Sequence, residues 1–254
     1  MPQEFADLAE RIVDALLKAD PRIANTAGDH RSDGVLPDFT SEAITARVAM
    51  LRDAGDALAQ VDVDSLDAED TVDHAQLSSL IDQHLFELAV IREYEWNPLL
   101  HSPGPLLYAL LSRDFAPASE RLDSLADRMS AIPDALSTAR RILTDCPAVH
   151  REAALTQFAG VVALIRDEVP KLLTEAPELG PQVDGAREDA LKALAEFDAW
   201  LRADSGEPGR DPRLGRRLWE GRLWYTLDTG LTSAQLFRRA EEALDQVSAE
   251  LVEV

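Results

Sequence analysis

Apolar residues recur every three to four positions along nearly the whole chain, the spacing of helices that bury one face. Between Gln3 and Lys18, Phe5, Leu8, Ile12, Leu16 and Leu17 share a face. Thr40 and Ser41 offer hydroxyls to cap a second helix carrying Ile44, Val48, Leu51 and Leu58. A third is expected from about Asp67, with Leu77, Leu80, Ile81, His84, Leu88 and Ile91 at helical spacing. It should run to Asn97-Pro98, because proline disfavours helical geometry in the residue before it. Further helices are expected at 118–130, 133–145, 150–173, 184–203 and 214–226, and a last one from Ser233. Thr232 and Gln235 have capping-box spacing at its start. No segment alternates as a strand does. The pattern predicts an all-α chain, a multi-helix bundle of about eight to ten antiparallel helices in one domain spanning 1–254. The clearest loop, DSGEPGRDPR at 204–213, is where a sub-boundary would fall. The apolar seam of Leu236, Ala240, Leu244, Val247 and Leu251 is still running at Val254, the pattern of a chain cut inside a helix.

Composition narrows the function classes. A formal charge of −22 argues against general binding to nucleic acid or anionic membrane, both of which need excess Lys and Arg. One cysteine, Cys146, allows neither an internal disulfide nor a thiolate zinc cage, and it suits a reducing, cytoplasmic setting. The N-terminus is acidic and amphipathic rather than signal-like, and the apolar run near Phe158–Ile165 is too short to span a bilayer.

No complete catalytic signature is present. Five histidines occur (His30, His74, His84, His101 and His150), but no H-E-x-x-H and no Glu three residues before any of them. His84 lies on an apolar stripe, where a hydrogen-bonded core histidine is the default. DHRSDGVLPDFT begins like a calcium loop, but Arg31 and Thr40 occupy ligand positions, so it reads as a turn. The glycines at 206, 209 and 215 follow no strand and form no phosphate loop. Cys146 near His150 is weak grounds for a nucleophile, since sequence neighbours are seldom a catalytic pair. Arg210, Arg213, Arg216, Arg217 and Arg222 cluster with Trp219, Trp224 and Tyr225; pairing with acidic helices, docking on a protein, or ligand contact are the open readings.

Four stretches, AGDHRSDGVLPDFTSEA, EYEWNPLLHSPGPLLYALLSRDFAP, RLDSLADRMSAIPDALSTARRIL and LWYTLDTGLTSAQL, resemble the bacterial family called domain of unknown function 885. The second is the most specific. The resemblance spans nearly the whole chain but only about the N-terminal half of the family domain. The family is similar to all-helical zinc peptidases of the gluzincin type. It implies that the zinc helix and third ligand lie in the missing C-terminal half, so no catalytic or metal position transfers to this chain and no cofactor is expected in it. The implied partners are that missing half or a second copy in a homo-oligomer.

The same resemblance suggests that the N-terminal half forms one wall of a deep cleft. At Glu93–Phe115 the chain should leave a long helix and re-enter as a short one, re-aiming Tyr94, Trp96 and Tyr108. Irregular points between helices attract ligand contacts. His30, Trp96, Asn97, Tyr108, Arg113 and Asp114 are therefore the candidate cleft-lining residues. The competing reading has Trp96 and Tyr108 plugging the bundle, and Arg113-Asp114 stapling two helices. Three functions stay open: a non-catalytic cleft wall, a stand-alone interaction module, and a hydrolase with an unrecognised metal site.

Overall fold

The computed structural model describes residues 2–203, 209–227 and 230–253; among them there is no strand. Helix α1 (Pro2–Ala19) buries Phe5, Ile12 and Leu16. Asp20 then caps α2 (Pro21–Ala27) by accepting the Arg22 N–H at 2.9 Å. The Thr40 hydroxyl accepts the Ala43 N–H at 3.3 Å to start α3 (Ser41–Ala59), as the sequence suggests. The Asp67 carboxylate accepts two N–H groups to start α4 (Ala68–Leu85). These helices close a first core around Phe5, Ile12, Leu16, Ile44, Leu51, Leu58 and Ile81.

The end of α4 departs from expectation. The helix widens into a π-helical segment, Phe86–Ile91, and stops at Arg92 in left-handed geometry, φ 53°. The Arg92 N–H donates to the Glu87 carbonyl at 2.9 Å, so the wide turn closes before Asn97-Pro98 is reached. Short turns at Glu93–Glu95 and Pro98–His101 lead into α5 (Gly104–Ser112), the expected short re-entry.

The second core lies among α5, α6 (Ala118–Ile142), α7 (Ala148–Asp167), α8 (Val169–Leu173) and α9 (Gly180–Ala203). Helix α6 packs most extensively on α9. The two helices expected at 118–130 and 133–145 are one, with Pro133 inside it. An interior proline costs an exposed helix about 3 kcal/mol. Here Met129, Ile132 and Leu136 are fully or almost fully buried beside it, and their burial offsets that loss. The helix expected at 150–173 is instead broken at Glu168, and Pro170 supplies the preset φ of a new helix start.

Buried arginines tie connections to this core. Arg128, 1% exposed, donates to the carbonyls of Leu106 (2.6 Å), Ser32 (3.2 Å) and Val35 (3.3 Å) and lies 3.7 Å from Asp33. Burial lowers its pKa to about 10. Arg121 donates to the Leu110 carbonyl at 3.0 Å, satisfying an acceptor in the last turn of α5. Gly34, beside Asp33, lets the connection run against α6: a Cβ there would sit 3.1 Å from Asp127.

Residues 204–208, the first part of the expected loop and sub-boundary, lie outside the described residues. At Gly209, φ 66°, the chain presses so closely on the turn before α7 that a Cβ would fall 2.0 Å from the Cys146 carbonyl oxygen. Helix α10 (Gly215–Leu227) then docks on α4 and its π segment. Helix α11 (Ser233–Glu253) follows, its capping box formed by Gln235 N–H to Thr232 Oγ1 (3.3 Å) and Thr232 N–H to Gln235 Oε1 (2.9 Å). No helix among the described residues is long and apolar enough to cross a membrane.

Candidate functional site

The turn at Pro98–His101 and the connection 34–40 meet the middle of α6 around a half-open pocket of about 430 Å³. Its apolar lining includes Leu36, Phe39, Leu100, Ile132 and Leu136, with Asp38 and Asp134 among its polar residues and no Lys or Arg. His101 forms part of the wall. Its ring meets Phe39 edge-on at 4.7 Å, and its Nε2 lies 2.8 Å from the Tyr94 carbonyl. That carbonyl can only accept, so Nε2 carries the proton and Nδ1 is left an acceptor. Burial lowers the His101 pKa to about 4, keeping the ring neutral near pH 7. Among the described residues the sealed, unpartnered side-chain atoms are Arg47 Nη1 and His150 Nδ1.

The sequence-nominated residues occupy separate places. Trp96 is buried; its Nε1 donates to the Ile91 carbonyl at 3.3 Å, His150 stacks on it at 5.6 Å and Arg210 lies over it at 4.5 Å. Asn97, also buried, accepts the Leu99 N–H and donates to Glu93 Oε1 at 2.7 Å. His30 pairs with Asp33 at 2.8 Å and stacks on Phe115 at 3.8 Å. Arg113 reaches the Asn25 carbonyl at 3.5 Å, and the exposed Asp114 reaches Arg121 at 3.4 Å. Tyr108 stands on the outer face of α5, 60% exposed. Thus His30, Arg113 and Asp114 join connections around α2, α5 and α6, while Trp96 and Asn97 knit the junction. None of the six lines the large pocket.

The basic cluster is partly spent inside the molecule. Arg222 grips Glu87 at 2.9 and 2.6 Å and Glu93 at 2.5 Å. Phe86 packs on Tyr225, ring centres 5.4 Å apart. His84 lines a void of about 10 Å³ beside Arg47 and Asp20. Burial and the nearby Arg47 charge lower its pKa. Burial would raise the Asp20 pKa, but bonds from Arg22 and the charges of Arg22 and Arg47 prevail and hold it below the usual carboxylate value.

Among the described residues no three His, Cys, Asp or Glu side chains gather so as to hold a metal ion. The donors among the described residues do not fit a zinc site.

The most conspicuous surface is apolar. Trp219 and Trp224 of α10 are largely exposed, and Phe237, Leu244, Val247 and Leu251 of α11 are 52–72% exposed. Singly exposed apolar residues are ordinary, but the apolar residues recurring along α11 make a larger exposed apolar face. Periodicity revealed the α11 seam. His101 and the 34–40 connection were not singled out from sequence; Pro37 in that connection and Pro103 at the start of α5 mark the two segments as irregular.

The molecule is thus an all-α bundle with a half-open pocket and an uncovered helical face. The chain belongs to a family described as bacterial protein of unknown function (DUF885), whose model matches residues 21–254. No curated protein matches it. A solved structure of a candidate lipoprotein of unknown function from Shewanella oneidensis is similar in fold, with a TM-score of 0.88 at 24% identity. The alignment covers 98% of this chain and 47% of that one, so the chain spans about half the length of its structural neighbour.

Proposed function

We propose that this chain is a non-catalytic, metallopeptidase-like helical half that builds one wall of a substrate cleft, the remainder of a longer family protein covering α10 and α11. The observation that carries the reading is the α11 seam, whose apolar residues stand in water on an otherwise well-packed fold. The length relation to the Shewanella oneidensis structure supports an occupant from a longer protein, because the match covers only 47% of that chain. The wall contributes shape: the buried junction of Trp96 and Asn97 and the arginine staples make a stiff support. Zinc and the groups that activate water belong, on this reading, to the covering half.

The test is hydrogen exchange of α11 in this chain alone and in a product extended by the rest of the family domain. The expected result is rapid exchange alone and strong protection in the extended product. Equal exchange in both, or protection alone through pairing with a second copy, would overturn the proposal in favour of an independent interaction module.

A further inference from the structure

The pocket beside His101 uses none of the residues assigned to the cleft wall. Its apolar lining offers greasy contact, and His101 Nδ1 offers a lone pair because Nε2 is committed to Tyr94. Asp38 and Asp134 add negative charge, and the lining itself holds no lysine or arginine; the buried Arg47 feels the Asp38 charge but is bonded to Asp20 at 2.8 Å. The nearest cation over the Phe39 ring, Arg22, is held by Asp20 at 2.6 and 3.0 Å. A carboxylate or phosphate ligand would therefore meet like charge, whereas a protonated amine would meet its complement. The volume of about 430 Å³ lies within the range of small-molecule sites.

We propose that this pocket binds a small aliphatic or aromatic ammonium compound, its apolar body between Leu36, Phe39, Leu100 and Ile132 and its charged end facing Asp38, Asp134 and the free nitrogen of His101. The ammonium donates, and the His101 nitrogen and the carboxylates accept. Both carboxylate residues are exposed, which keeps their share of the affinity modest and places specificity in the match of apolar body to pocket.

Three probes of equal chain length decide the matter: hexylamine, hexanol and hexanoate, titrated near neutral pH into the whole chain and followed by methyl and histidine-ring NMR. The expected order is hexylamine tightest and hexanoate weakest, with shifts centred on Leu36, Leu100, Ile132, Leu136 and His101. Asp38→Asn and Asp134→Asn should each weaken hexylamine about three-fold and leave hexanol unchanged. Both positions are exposed, so these variants should keep the fold. Failure of hexylamine to saturate, equal binding of hexanoate, shifts centred elsewhere, or an amine preference surviving in the double asparagine variant would each overturn the assignment.

Discussion

Replacing Arg128 by alanine should loosen the fold far more than replacing a surface arginine. The side chain is 1% exposed, and its guanidinium serves three carbonyls and Asp33. Removing one member of a buried charged pair typically costs about 3–5 kcal/mol, because the partner is left uncompensated. The Asp33 contact is long at 3.7 Å, and Ser32 and Val35 are half-buried and exposed, so water can take over from the lost donor at their carbonyls. The Leu106 bond, at 2.6 Å and buried, has no such escape. A loss of about 4 kcal/mol is therefore expected, equivalent to a fall in Tm of about 8–16 °C for a domain of this size. Thermal melting followed by far-ultraviolet circular dichroism reads it. Arg128→Met separates packing from polarity: it restores bulk but leaves the same acceptors unpaired, so it should recover only a minor part. A drop below about 3 °C for Arg128→Ala, a loss of only about 1 kcal/mol, would refute the claim that this residue fastens the 32–36 connection to α6.

Gly209→Ala should destabilise by more than about 1 kcal/mol, since the residue has positive φ and its new Cβ would strike the Cys146 carbonyl; trypsin should then cut faster after Arg210 or Arg213. Arg222→Ala should raise hydrogen exchange throughout α10 while lowering global stability by only about 1 kcal/mol, because its side chain is 33% exposed and solvent screens the pair. His101 is neutral in the fold with a pKa of about 4 and titrates near 6.5 when unfolded. The unfolded chain thus binds the extra proton first: this stabilisation is complete above about pH 6.5 and is lost as pH falls through about 4, by about 3 kcal/mol. The difference in Tm between the native chain and His101→Asn, followed from pH 7 to pH 4, should shrink; a constant difference would contradict the assignment. Leu244→Asp on α11 should leave the stability of the isolated chain within about 0.5 kcal/mol, and a larger loss would mean that the seam is already covered.

The helix pattern was open to sequence reasoning wherever one element decides its own state. The caps at Thr40, Asp67 and Thr232 are local chemistry and were readable. The errors arose where tertiary packing overrides a local rule. Pro133 reads as a break, yet the burial of Met129 and Ile132 against α9 carries the helix through it. Arg92 carries no mark of a stop, and the π turn ahead of it lies where Arg222 of α10 clasps Glu87, a contact between residues far apart in sequence. The candidate residues were recognised as belonging to special backbone, but convergence depends on which connections share a neighbour. Trp96 and His101 are close in sequence and face different surroundings: the first meets His150 and Arg210, the second Phe39 and the pocket. Nothing in spacing separates those fates.

The central claim is that these helices provide form and the reacting groups reside elsewhere. The most direct measurement is elemental analysis of the purified chain after chelation, reloading with zinc and gel filtration, paired with hydrolysis of a mixed peptide library. The account predicts no stoichiometric zinc and no cleavage above buffer; one firmly held ion per chain accompanied by zinc-dependent cleavage would contradict it.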